Sequence, residues 1–338
     1  MDAVEILKKL ISFPTNTTFY DNRIKGYILS LLKNQISEVK NIPKTKNRSF
    51  VIKIRDSQAK KRPLVFLCHL DTVTPSNQWL FDPYTPTIKN SKLFGLGASD
   101  MKGSVAALLK SVLELKKINR PTYLAFTSDE ETTVNDIKEL TREIVFNEAI
   151  VIALEQTEGK IRVGQKGVLE LRITISGVSH HASKATRRLN KKDNAIYKMG
   201  SVINYIKKYE TSIFNKRYPN KVTFNFGKIE GGIAVNCMAE NCFLEISCRF
   251  DPSVSSKELY KKIKADIEKV DNTAKIKLLL LGDSFSNKNK KDINHLKNIV
   301  VKQLGNTSVL TGKAWSEIAL LNVNKNSCFV LGDRKSVV

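Results

Sequence analysis

Between residues 49 and 154 the chain alternates short apolar runs with one long helical repeat. The runs FVIKIR, LVFLC, YLAFTS and AIVIAL read as buried strands. Between the second and third, DMKGSVAALLKSVLELKKI carries apolar residues at helical spacing. Strands alternating with a packed helix predict a mostly parallel sheet in an α/β domain. The opening MDAVEILKKLISFP has the spacing of an amphipathic helix. From Gly167 the pattern changes: VLELRITISG reads as strand, NAIYKMGSVINYIKKYE as helix, VTFNFGKIEG and CFLEISCRF as strands, SSKELYKKIKADIEKV as helix and KIKLLLLG as strand. This βαββαβ order is that of a ferredoxin-like sandwich. INHLKNIVVKQLG and SCFVLG then return to helix and strand. The expected architecture is an α/β domain, 1–166 and 283–338, interrupted by an inserted α+β domain at 167–282.

A length of 338 residues with 41% hydrophobic content suits two such domains. No apolar run approaches the ~20 residues of a membrane span, and no signal-peptide pattern opens the chain, so a cytoplasmic protein is expected. The five cysteines are odd in number, lie mostly in apolar strand patterns and form no CxxC pair, so reduced core residues are expected. The formal charge of +23 raises the question of a nucleic-acid partner. The excess is mostly lysine spread along the chain, and no helix-turn-helix, zinc finger or aromatic-basic strand pair accompanies it. It reads as a lysine-biased surface, without a nucleic-acid or membrane partner.

Candidate chemistry gathers where apolar strands end. In LVFLCHLDTV, His69 and Asp71 stand at positions i and i+2, on one face, at the carboxyl end where open α/β sheets place their sites. LFGLGASDMKG has glycines but places Asp100 where a dinucleotide fingerprint needs its third glycine. A carboxylate at that turn repels phosphate and suits a cation. TSDEET brings Glu130 and Glu131, and IALEQTEG brings Glu155. Each cluster alone also fits a structural histidine or an exposed acidic turn. Four together at one sheet edge point to a metal. Oxygen and nitrogen donors without thiolates favour zinc, cobalt or manganese.

HLDTV followed by Trp79 and DPYTP, then LFGLGASDMKG, TSDEE, Glu155, GQKGVLEL, SGVSHHASKA, GGIAVN and SCRFDP resemble, in order and over nearly the whole chain, the zinc-dependent aminoacylase and carboxypeptidase family. GLGASDMKG looks most like its acetylornithine deacetylases. The resemblance implies a catalytic metallohydrolase domain with an inserted dimerisation or lid domain, working as a homodimer. It implies that His69, Asp100 and Glu155 hold one zinc, that Asp100 bridges to a second zinc held by Glu131, and that Asp71 orients the His69 ring. Glu130 is implied as general base, and His181 as a lid histidine reaching the partner subunit's site to stabilise the oxyanion. Asn236 and Arg249 match substrate-binding positions, a guanidinium fork suiting a carboxylate. For Arg249 the alternative is an ion pair with Glu245 along the strand. A cis peptide between Asp100 and Met101 is also implied.

Relatives complete the second metal site with a histidine several residues after a Gly-Pro-Gly that follows the last strand. Here that stretch reads SCFVLGDRKSVV, and His295 falls in a helical pattern well before it. Glu317 aligns with an acidic residue near the site of the deacetylases. The resemblance implies removal of an acyl group from an N-acyl amino acid, in arginine or lysine biosynthesis. Desuccinylation of succinyl-diaminopimelate and carboxypeptidase or dipeptidase activity stay open, as do a substrate held on an acidic carrier protein and an inactive, metal-poor homologue.

Overall fold

The computed structural model describes residues 1–46, 48–55, 61–143, 148–211, 222–321 and 323–333; the expected catalytic-domain end, 334–338, lies outside the described residues. Two compact units result: Met1–Gly164 with Ser286–Gly312 and Ser316–Val338, and Gln165–Phe285 with Lys313–Trp315.

In chain order the strands before the second unit are β1 (Ile36–Asn41), β2 (Phe50–Ile54), β3 (Leu64–His69), β4 (Thr87–Lys89), β5 (Lys92–Phe94), β6 (Thr122–Thr127), β7 (Ile150–Ala153) and β8 (Ile161–Gln165). The second unit adds β9 (Gly167–Ser176), β10 (Val222–Gly231), β11 (Asn241–Phe250) and β12 (Lys275–Gly282). β13 (Phe285–Ser286), β14 (Val309–Gly312) and β15 (Cys328–Val330) follow. The helices are α1 (Ala3–Ile11), α2 (Arg23–Leu31), α3 (Lys102–Glu114), α4 (Asn135–Glu143), α5 (Arg187–Asp193), α6 (Ala195–Thr211), α7 (Ser256–Val270) and α8 (Lys290–Leu304).

The first sheet runs β1-β2-β6-β3-β7-β15-β8-β13, with β14 on β8. Its middle, β6-β3-β7-β15, is parallel, as the alternation predicts. FVIKIR departs from that set: β2 runs antiparallel to both β1 and β6. The links on either side of β2 are too short for a crossover helix, and a short link reverses strand direction. The α3 pattern also overreaches, because the helix stops at Glu114 and Leu115 is extended and exposed. Seven residues must return the chain to β6, and Pro121 favours extended backbone before it. Ile6, Leu10, Val105 and Leu109 of α1 and α3 are buried with Phe50, Leu124 and Phe126 of the sheet in one apolar cluster.

In the second unit the order β10-β11-β9-β12 is antiparallel throughout, the ferredoxin-like arrangement. Alternation does the work here. Leu169, Leu171, Ile173 and Ile175 of β9 and Leu244, Ile246 and Cys248 of β11 turn into one cluster with Met199, Val202, Leu259 and Ile263 of α6 and α7. Arg172 and Glu245 point the other way and pair at 2.6 Å, so Glu245 is the partner of Arg172 and not of Arg249. Gly167 faces Phe250, and a Cβ there would lie 2.1 Å from the ring. Trp315 returns to this unit, its ring over Gly282 and its Nε1–H donating to the Asp283 carbonyl at 3.1 Å. All five cysteines are free; Cys237 is only half-buried and sits in a loop, against the expectation of a core residue. No helix among the described residues is long and apolar enough to cross a membrane.

Candidate metal centre

The three adjacent parallel strands β6, β3 and β7 end side by side, which brings the segments after Thr127, His69 and Ala153 to one edge. His69 closes β3 opposite Thr127 and is 2% exposed. Its Nδ1–H donates to the Asp71 carbonyl oxygen at 3.0 Å, which turns the ring so that Nε2 faces the carboxylates. Nε2 lies 3.1 Å from Asp100 Oδ1 and 3.8 Å from Glu155 Oε1.

Asp100 comes from the turn into α3 and not from a strand end. Gly97 turns that loop with φ +80°, where a Cβ would meet Thr72 at 2.8 Å, and the Asp100–Met101 peptide is cis. The Lys102 backbone N–H donates to the Gly97 carbonyl at 2.8 Å, and its buried ammonium donates to the Phe13 carbonyl at 2.9 Å. After β6, the Glu130 and Glu131 N–H groups donate to the two oxygens of the Asp71 carboxylate at 3.3 and 2.9 Å. The Asp71 carboxylate therefore holds the glutamate turn as well as lying 3.6 Å from His69 Nδ1.

Donor atoms of His69, Asp100 and Glu131 all lie within 4.8 Å of one another, close enough to share one ion. The charge balance says the same. Burial would lower the His69 pKa, but hydrogen bonds to Asp100 and Asp71 and the Glu155 charge outweigh it and hold it well above its ordinary value. Burial raises Glu155 to about 7 despite His69, with Asp100 and Glu131 adding to the rise. Glu130 and Glu131 are raised too, by burial and by neighbouring carboxylates. Buried carboxylates set this close to one another and to an imidazole are a donor set that a shared divalent metal fits.

Glu317 is buried nearby, Oε1 accepting from Thr127 Oγ1 at 2.6 Å while Oε2 has no partner. Burial raises its pKa well above the carboxylate range. Sequence alone marked Glu317 only by alignment and missed Thr127, whose place beside His69 depends on strand pairing.

His181, Asn236 and Arg249 belong to the second unit. The His181 and Asn236 segments meet through Ala182 N–H donating to the Asn236 carbonyl at 2.8 Å, and both side chains lie in exposed positions. Arg249 sits near the far end of β11 from Asn241, beside Val168 and Thr223. His180, next to His181, places its Nε2 3.1 Å from Asp193 Oδ2.

Residues 163–274 match the family model for the peptidase dimerisation domain. The chain is 30% identical over 283 residues to acetylornithine deacetylase of Buchnera aphidicola subsp. Acyrthosiphon pisum, covering 79% of this chain and 72% of that one. To the acetylornithine deacetylase of Photorhabdus laumondii it is 34% identical over 203 residues, 58% of this chain and 52% of the relative. Among solved structures it resembles an M20 family metallo-carboxypeptidase from Sulfolobus solfataricus, with TM-score 0.78, 18% identity and coverage of 98% and 91%. A tripeptidase from Staphylococcus aureus gives 0.76 at 18% identity, with 98% and 89% covered. The structures agree in fold and the sequence relatives in lineage: this chain belongs to the M20 peptidase family, beside relatives named acetylornithine deacetylase.

Proposed function

We infer that the chain is a metal-dependent amide hydrolase that removes the acyl group from an N-acyl amino acid, with N-acetylornithine as the leading substrate. The convergence of His69, Asp100 and Glu131 within 4.8 Å, with Glu130 beside them, carries this reading. His69, Asp100 and Glu155 would hold one divalent ion, zinc by the donor chemistry, and Asp100 with Glu131 a second. Bound there, such an ion polarises a carbonyl and lowers the pKa of water. Glu130 accepts the proton of the attacking water as the carbon–oxygen bond forms, and returns it to the amine nitrogen as the carbon–nitrogen bond breaks. Asp71 keeps Glu130 in reach by holding its N–H. Asn236 and Arg249 would bind the substrate, Arg249 at its α-carboxylate. A cytoplasmic homodimer, in which His181 acts on the other subunit's site, completes the reading; the dimerisation-domain match supports the dimer alone.

The test is a panel of N-acetyl and N-succinyl amino acids and dipeptides, offered to protein loaded with zinc, cobalt or manganese. Preferred release of ornithine from N-acetylornithine is expected. Preference for a succinyl substrate or a dipeptide moves the assignment within the family, and no turnover with a fully loaded protein leaves the inactive homologue. A substrate carried on an acidic protein would show itself by steep loss of turnover with salt.

A further inference from the structure

The turn that carries Glu130 and Glu131 is closed from behind by Asp136, a residue in no motif. Asp136 is 8% exposed in the first turn of α4. Its Oδ2 accepts from the Ser128 N–H at 3.2 Å, from Ser128 Oγ at 2.5 Å and from Ser49 Oγ. All three donors are neutral. The reverse tie is also made: Asp129 accepts from the Asp136 and Asn135 N–H groups at 3.1 and 2.8 Å and from Thr133 Oγ1 at 2.5 Å. Asp129 therefore caps α4, while Asp136 of α4 reaches back to the residue before Asp129. Inside the closed loop, Val134 is buried with φ +49°, a conformation a β-branched residue adopts only where its surroundings enforce it.

A buried carboxylate satisfied only by neutral donors adds little to stability, because its desolvation offsets the bonds it makes. What it does provide is a fixed position. We propose that Asp136 is a positioning residue for the hydrolysis: with Ser49 and Ser128 it locks the 128–136 turn against β6, so that Glu130 and Glu131 are presented to the metals and the water without rearrangement. The role in turnover rests on the amide-hydrolase reading; the role in metal binding does not.

Both roles are tested with Asp136→Ala, Asp136→Asn and Ser49→Ala/Ser128→Ala in the full chain. Two quantities are read: steady-state turnover of the best panel substrate, and cobalt affinity by competition with a chromophoric chelator. Asp136→Ala should lower kcat by up to about 10²-fold with KM nearly unchanged, since a small displacement of the base is enough. The weaker of its cobalt sites should lose about tenfold in affinity, the scale seen when a group behind a ligand is removed. Asp136→Asn, which keeps one acceptor oxygen, should recover part of both. A folded Asp136→Ala with a lower Tm but kcat and cobalt affinities within twofold of wild type overturns the proposal. If Asp136→Ala does not fold, the double serine variant is read by the same criteria; if that also fails to fold, the role is structural and the proposal falls. A wild-type chain that hydrolyses nothing removes the functional reading, while the cobalt measurement still decides Asp136.

Discussion

Glu130 and Glu131 are neighbours in sequence with the same side chain, and their N–H groups donate to the same carboxylate. Of the two, Glu131 joins His69 and Asp100 in a group that could share one ion, and Glu130 does not. Glu130→Gln should therefore leave metal content intact while turnover falls by at least ~10²-fold. Elemental analysis beside kinetics checks this, and near-normal turnover would remove Glu130 from the chemistry. A second prediction concerns pH. Burial raises Glu155 from 4.5 to about 7, so between those values the folded, metal-free chain holds a proton that the unfolded chain has released. The stabilisation is full below about 4.5 and is lost as pH rises through 7. Metal-free wild type should lose thermal stability relative to Glu155→Gln between about pH 5 and pH 8, and metal should restore more of it at the higher pH. A wild-type-minus-variant difference that stays flat across that window would contradict the burial of a titrating carboxyl group.

The elements owe their placement to two kinds of pattern. β9 and β11 alternate so regularly that their inner residues follow from sequence, and the structure buries them as expected. β1, β8, α2, α4 and the β4–β5 hairpin were not legible: each element is only three to nine residues long, too short for its periodicity to decide. Gly167 shows the limit of local reading. Nothing nearby in sequence demands a glycine, but β9 pairs with β11 in a register that sets Phe250 against it. Gly167→Ala should cost about 1–3 kcal/mol through overpacking. Denaturant unfolding measures it, and turnover per folded molecule should change less than stability; an unaltered midpoint would mean that the ring can move aside.

At the scale of the whole molecule, the second unit presents β10 as an edge strand, with Phe226 and Ile229 more than a third exposed. An edge strand bearing apolar side chains is a ready surface for a second copy. The proposed dimer and the proposed action of His181 in trans are tested together. Inactive Glu130→Gln and His181→Ala proteins, mixed under conditions that exchange subunits, should regain part of the activity, because each mixed dimer holds one complete site. Heterodimers that form and stay inactive would place the action of His181 elsewhere. Metal stoichiometry belongs to this scale as well. In the proposed assignment His69, Asp100 and Glu155 would supply three donors to one ion, and, among the described residues, Asp100 and Glu131 would supply two to the second. Dialysed protein should keep about one tightly held zinc per subunit, a second entering only at high free metal; two zincs of equal affinity would reveal a further ligand.

Sequence alone determined the fold class and the ferredoxin-like order of the second unit's strands, and it pointed to His69, Asp100 and Glu131, which the structure brings together, because periodicity records which face of an element is buried and acidic residues near strand ends are visible without coordinates. The antiparallel course of β2, the pairing of Glu245 with Arg172, the tie from Asp71 to the glutamate turn, the buried Glu317–Thr127 contact and the lock made by Asp136 were decided only by tertiary structure. Each joins residues whose partners are chosen by strand pairing and by chain return. Hydrogen bonds and register act over a few ångströms in space, and a linear pattern carries no measure of that distance.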